Sequence, residues 1–139
     1  MRIVYTAGTF DLFHIGHLNV LRKAREVGDR LIVGVSTDEL VKSYKNESPI
    51  MPYADRLAIV QSCRYVDEAV KQEILIDRNI LIEKSVDVVV LGDDWQRMTI
   101  ANLERAKKEG LVSVLYVPYT ERVSSTQLKR KIKNEWFGG

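Results

Sequence analysis

The sequence predicts one α/β domain over residues 1–139, built on a doubly wound parallel sheet of about five strands. Three observations carry that prediction. Strand and helix signals alternate from end to end. The strand segments read as continuous apolar runs instead of in–out alternations, the pattern of strands covered on both faces. No repeat, low-complexity tract or linker interrupts the chain, and its length suits one core at the usual scale of roughly 100–200 residues per domain.

Residues 2–7 are a short β-branched run, the first strand, and residues 8–13 a loop. From His17 to Val27 the apolar Leu18, Leu21, Ala24 and Val27 fall on one helical face, and Gly28 is expected to stop that helix as a cap glycine just past its end. Residues 30–35 are the second strand. Ser36, Thr37, Asp38 and Glu39 combine a capping hydroxyl with acids in a first turn, so a helix starts there. Residues 42–51 read as a polar, basic loop, and Pro52 opens a helix running to about Cys63. Residues 67–70 give a short third strand, followed by a helix near 74–83. Residues 87–91 are the most apolar strand and end in Gly92, Asp93, Asp94 and Trp95. A helix over about 100–109 ends at Gly110, and residues 112–117 are the last strand. Ser124 to Gln127 has the hydroxyl-to-Gln spacing of a capping box and begins a terminal helix. Ligands of such sheets bind beyond the carboxyl ends of the strands, where the strand order reverses. The loops at 8–17, 92–95 and 120–126 open onto that edge and are the most polar stretches of the chain.

A net charge of +2, with Lys and Arg interspersed among Asp and Glu, makes no field for nucleic acid, and no apolar run is long enough to span a membrane. Neither partner is expected. The single cysteine, Cys63, excludes an intrachain disulfide and sits in an apolar helical pattern as a packed thiol. With no signal-peptide pattern at the start, the expected location is cytoplasmic.

The first loop, Gly8-Thr-Phe-Asp-Leu-Phe-His-Ile-Gly-His17, is neither a Walker A loop nor Gly-x-Gly-x-x-Gly. His14 and His17 stand three apart at a helix start and share a face. Gly16 lets an anion approach the backbone, and the helix dipole with its leading N–H groups favours phosphate. Two donors converging on one phosphorus suit phosphoryl transfer, because charge builds on its oxygens as bonds exchange. The pair is also open to two other readings, as ordinary cap residues or as zinc ligands. Zinc needs further N or S donors, and the chain has no third histidine and only a distant Cys63.

These residues resemble the signature of the cytidylyltransferase family, within the larger His-x-Gly-His nucleotidyltransferase group and its Rossmann-like fold. Three further matches follow in order: Arg64-Tyr-Val-Asp67, Gly92-Asp-Asp-Trp95 and Thr120-Glu-Arg-Val-Ser-Ser-Thr126. The likeness is strongest to bacterial members that act on glycerol 3-phosphate. It implies in-line attack by an acceptor phosphate oxygen on the α-phosphorus of CTP, giving a CDP-polyol and pyrophosphate with no covalent enzyme intermediate. His14 and His17 would bind the triphosphate and stabilise the transition state, with Lys45 and Arg64 also catalytic. Gly8, Thr9, Phe10, Gly16 and Asp94 would meet the nucleotide, as would Thr120, Arg122, Ser124, Ser125 and Thr126. Lys42, Lys45, Arg56 and Arg78 would hold the acceptor. Mg²⁺ would come bound to the nucleotide phosphates, with Asp11 as a possible ligand and no dedicated metal site. The resemblance also implies a homodimer and a place in cell-wall or capsule precursor synthesis. Other acceptors (phosphoethanolamine, a sugar-alcohol phosphate) or ATP as donor are the alternatives within the group. A catalytically weak nucleotide-binding regulatory protein is the alternative outside it. The last motif departs from the family's Arg-Thr-x-Gly-Ile-Ser-Thr/Ser-Thr: Tyr119 replaces the Arg and Arg122 the Gly. Arg122 is therefore expected to supply the missing cation from the same loop.

Overall fold

A computed structural model describes residues 1–97, 99–118 and 124–138. Its strands are β1 (Ile3–Gly8), β2 (Arg30–Ser36), β3 (Glu68–Gln72), β4 (Val88–Gly92) and β5 (Ser113–Val117). They pair in parallel in the order β3-β2-β1-β4-β5. The chain therefore winds outward from β1 to β3, returns to the other side of β1 as β4, and winds outward again. The order reverses between β1 and β4, as the doubly wound reading requires.

Helices α1 (Ile15–Val27), α2 (Asp38–Lys45), α3 (Tyr53–Ser62), α4 (Arg78–Glu83) and α5 (Ala101–Lys108) connect the strands, and α6 (Ser125–Ile132) follows β5 and continues as a π-helical stretch, Lys133–Gly138. Successive strand residues point to opposite faces, and both faces are covered. Val4, Leu31, Val33, Val88 and Val90 pack with Leu21 and Ala24 of α1 and Val60 of α3. Tyr5, Ile32, Val89 and Leu91 pack with Leu81 of α4 and Leu103 and Ala106 of α5. This two-sided burial, worth about 1.5–3 kcal/mol for each fully buried aliphatic side chain, is why the strands carry unbroken apolar runs. Cys63 is half-buried against the first of these clusters. Among the described residues no helix is long and apolar enough to cross a membrane.

Several boundaries differ from the sequence reading. The first helix begins at Ile15, because His14 caps it. The segment read as a loop from residue 42 stays helical through Lys45, and Asn46, at φ 59°, closes α2 by donating its N–H to the Lys42 carbonyl. Gly28 is extended (φ −155°) and is not a left-handed cap. A Cβ there would lie 2.7 Å from the Arg2 carbonyl oxygen and from Val4 Cγ2, so close approach to β1 is what requires glycine. Asp77 caps α4 through the N–H of Asn79, which delays that helix to Arg78. The turn after β4 is a 3₁₀ helix, Asp93–Arg97. Gly110, at φ +70°, follows α5 where the sequence placed its stop.

Candidate active site

A cleft of about 370 Å³ opens beyond the carboxyl ends of β1 and β4, where the strand order reverses. Its walls come from four places: the β1–α1 loop, the end of α2 with the segment after it, the turn after β4, and the start of α6.

The β1–α1 loop is bent by two left-handed residues, Phe10 (φ 57°) and Leu12 (φ 48°). Phe10 is buried, with its ring 5.5 Å from that of His17. A Cβ on Gly8 would sit 3.1 Å from the Phe10 ring, so the glycine gives that ring its room. His14 is the N-cap of α1, and its Nδ1 accepts the N–H of Gly16 at 3.0 Å. His17 answers from the third helical position, its Nδ1 accepting the N–H of His14 at 3.0 Å. The two rings stack with centroids 3.9 Å apart. The result is a reciprocal capping box made of imidazoles.

That geometry settles the protonation of both rings. A nitrogen that accepts a backbone N–H carries no proton, so a neutral ring holds its proton on Nε2. Burial lowers the pKa of both histidines, and in His17, where the neighbouring His14 adds to it, the pKa falls to about 3. Both are neutral near pH 7, with Nδ1 engaged and Nε2–H left for a ligand. Capping and ligand binding are thus performed by opposite corners of the same rings. The cap takes up N–H groups that the sequence reading assigned to phosphate, so the imidazoles replace them as donors. Among the described residues no group of three or more His, Cys, Asp or Glu side chains is arranged to hold a metal.

Val41 and Lys45, four residues apart, share the face of α2 turned to the cleft. Partial burial lowers the Lys45 pKa, and the positive charge of Lys129 adds to the effect. Opposite, Gly92, Asp94 and Trp95 line the cleft after β4. Burial raises the Asp94 pKa, and the adjacent Asp93 adds to it against the opposing pull of Lys45. Ser124, Ser125 and Thr126 bring their hydroxyls from the start of α6. Ser124 Oγ also caps that helix, accepting the N–H of Gln127 at 3.0 Å. Gly8, Thr9 and Gly16 complete the set of predicted nucleotide residues in the cleft. Thr120 and Arg122, with Tyr119, lie outside the described residues.

Four predicted cations do not line the cleft. Arg56, assigned to the acceptor, has no exposed surface. Its guanidinium donates to the carbonyls of Met51 (2.9 Å), Thr9 (2.7 Å) and Ser36 (2.8 Å) and to Asp38 Oδ1 (2.6 Å). It ties three segments of the site together from beneath. Arg64, assigned to catalysis, follows α3, which runs back to the amino edge of the sheet. It is exposed there, 5.1 Å over the Tyr65 ring, and about a strand's length, ~16 Å, from the carboxyl edge. Arg78 is held by Glu109 through Nε (3.0 Å) and Nη2 (2.5 Å). Lys42 is exposed one position round α2 from the cleft-facing Val41.

Asp11 was the candidate metal ligand, and its carboxylate is engaged elsewhere. It is 3% exposed, accepts the N–H of Ile50 (2.8 Å) and Met51 (3.0 Å), and pairs with Lys129 at 3.2 Å. Burial alone would raise its pKa, but these partners outweigh burial and lower it. Its backbone carbonyl also accepts from the Ser125 hydroxyl. Asp11 therefore joins the β1–α1 loop, the segment before α3 and α6.

Sequence reasoning missed Lys129 and Glu47 as cleft residues, and Tyr44, whose hydroxyl lies 3.3 Å from Thr9 Oγ1. Lys129 had a readable signal, since it follows Ser125 by one helical turn.

Comparison with known proteins gives a consistent picture. The sequence model of the cytidylyltransferase-like family matches residues 5–131. The chain is 37% identical to the glycerol-3-phosphate cytidylyltransferase of Bacillus subtilis, over 95% of this chain and 98% of that one. It is 36% identical to the FAD synthase of Pyrococcus abyssi, over 94% of this chain and 89% of that one. Among solved structures, a lipopolysaccharide core biosynthesis protein from Thermoplasma volcanium superposes with a TM-score of 0.76 at 28% identity, covering 87% of this chain and 99% of that one.

Proposed function

The chain belongs to the cytidylyltransferase-like family, and from that premise we propose that it transfers the cytidylyl group of CTP to a small polyol phosphate, glycerol 3-phosphate first among them. A phosphate oxygen of the acceptor attacks the α-phosphorus in line. The bond from that phosphorus to the bridging oxygen breaks, and the electron pair leaves with pyrophosphate. The products are a CDP-polyol and pyrophosphate. The acceptor oxygen is already anionic and the leaving group departs as an anion, so no protein group has to move a proton.

The observation that carries this reading is the histidine pair. Both Nδ1 atoms are held by the start of α1, and both Nε2–H donors belong to one wall of the cleft. Such donors are pre-aimed at charge that grows on phosphate oxygens in the transition state, and losing one costs about 3–4 kcal/mol of activation free energy. Lys45 faces them from α2, and Ser124 and Thr126 offer hydroxyl donors from the start of α6, while the Ser125 hydroxyl is given to the Asp11 carbonyl. Asp94, which lines the cleft after β4, would accept a hydrogen bond from the nucleoside.

The described cleft sets two lysines, Lys45 and Lys129, against three carboxylates, Asp11, Asp94 and Glu47, with the histidines neutral. Such a lining does not by itself offset a triphosphate. Mg²⁺ bound with the nucleotide would supply that charge, and Glu47 suits a cation that keeps most of its waters and takes one carboxylate beside phosphate.

ATP is the alternative donor, since the FAD synthase relative is 36% identical against 37% for the glycerol-3-phosphate one. The test is pyrophosphate release with CTP or ATP across glycerol 3-phosphate, phosphoethanolamine and sugar-alcohol phosphates. Turnover is expected with CTP and glycerol 3-phosphate, abolished by EDTA and restored by Mg²⁺. Tight CTP binding without turnover on any acceptor would sink the proposal in favour of a nucleotide-binding regulatory protein.

A further inference from the structure

We infer that Lys129 is a nucleotide-binding residue, its ammonium shared between Asp11 and the β- and γ-phosphates of the triphosphate. The inference rests on the reading of the cleft as a nucleoside triphosphate site.

Lys129 lines the cleft together with His14, His17, Ser125 and Thr126. Its ammonium has three N–H donors, and the ion pair with Asp11 Oδ2 at 3.2 Å uses one. Asp11 is not dependent on that donor alone, since its two oxygens also accept backbone N–H groups from Ile50 and Met51. The Lys129 side chain is 29% exposed and lines the cleft, so its remaining donors are open to a ligand there. Ser125 and Thr126 stand four and three residues before it, which places the two hydroxyls and the ammonium along one face of α6. Lys45 lines the same cleft from α2, and the charge of Lys129 adds to the burial that lowers its pKa. Two ammonium groups on one cleft suit a polyanion between them. The cation expected from Arg122, to make good the loss of an arginine at Tyr119, comes by this inference from the helix that follows the loop.

Lys129 also seats α6, because Asp11 receives both its ammonium and the Ser125 hydroxyl. The test must therefore separate charge from seating. Lys129→Gln keeps a donor for Asp11 and removes the charge, whereas Lys129→Arg keeps both. Binding of Mg²⁺–pyrophosphate and of CTP is measured by calorimetry at low and moderate salt, with Lys131→Gln as a surface control on the same helix. Lys129→Gln is expected to lose about 10- to 100-fold in affinity for both ligands, the range for a hydrogen bond to a charged group, and to flatten the salt dependence. Lys129→Arg and Lys131→Gln are expected to stay within about threefold of the parent. Unchanged affinity and salt dependence in Lys129→Gln would overturn the inference. Equal losses in Lys129→Gln and Lys129→Arg, accompanied by a lowered melting temperature, would overturn it too, because that pattern belongs to seating alone. A parent protein that binds neither ligand overturns the nucleotide reading itself and this inference with it.

Discussion

Replacing Arg56 by lysine keeps its charge and removes its fork. The guanidinium reaches three carbonyls, on Thr9, Ser36 and Met51, and one carboxylate, on Asp38. These come from the end of β2, the loop after β1, the start of α2 and the approach to α3, so they surround a planar group and do not converge on a point. A lysine ammonium reaches at most two of them. Each buried carbonyl left without a donor costs about 1–3 kcal/mol. Asp38 is 38% exposed at its side chain, so solvent screening limits the loss of that pair to about 1 kcal/mol or less. The sum is about 3 kcal/mol, a large part of the roughly 5–15 kcal/mol that holds a domain folded. For a chain of this length that lowers the melting temperature by about 10 °C. Thermal and urea unfolding measure it. The KM for the nucleotide is expected to rise as well, because the Thr9 carbonyl loses its anchor beside the cleft. An Arg56→Lys protein that melts within about 2 °C of the parent and shows a raised KM for the acceptor alone would refute the reasoning and return Arg56 to acceptor binding.

Two further predictions concern pH and packing. His17 has a folded pKa of about 3 against an ordinary value near 6.5, so between those values the unfolded chain binds more protons and stability falls as pH falls. The slope approaches about 1.4 kcal/mol per pH unit for this residue, and the lowered pKa of Asp11 adds its loss only below about pH 4. Urea unfolding from pH 7 to pH 4 should show the decline and His17→Asn should flatten it; a flat parent profile would contradict the buried neutral pair. At Gly34 a Cβ would lie 1.9 Å from the Tyr5 hydroxyl and 2.7 Å from its Cζ, which displaces the 2.6 Å hydrogen bond from Tyr5 to Gln72. Gly34→Ala should cost about 2–4 kcal/mol, with partial recovery when combined with Tyr5→Phe; a Gly34→Ala protein as stable as the parent would disprove the contact.

Much of the fold was legible because its signals are local. Apolar spacing along α1 and α5 and the unbroken run in β4 need no knowledge of partners, and they place the strands and helices in order. Boundaries failed where a cap decided them, as with the Asp77 side chain delaying α4 and the left-handed backbone of Asn46 closing α2 only after Lys45. The histidine wall was legible for the same reason, since residues three apart at a helix start meet within one turn. Its protonation was not, because that depends on which ring nitrogen takes the backbone N–H.

By itself the sequence determined a covered parallel sheet, the helix start carrying His14 and His17, and membership of a nucleotidyltransferase family whose motifs run in order along the chain. Only the tertiary structure decided which of the described cations line the cleft. In the sequence Arg56, Arg64, Arg78, Lys42 and Lys129 are all cations on or beside helices, with nothing local to say which way each points. Arg56 is withdrawn because backbone carbonyls of three separate segments surround its guanidinium, and Arg64 because α3 returns to the other edge of the sheet. Lys129 is brought in because Asp11, 118 positions earlier in the chain, holds α6 against the first loop. A charge has no period in the sequence. Its direction is set by the long-range contacts that position its backbone.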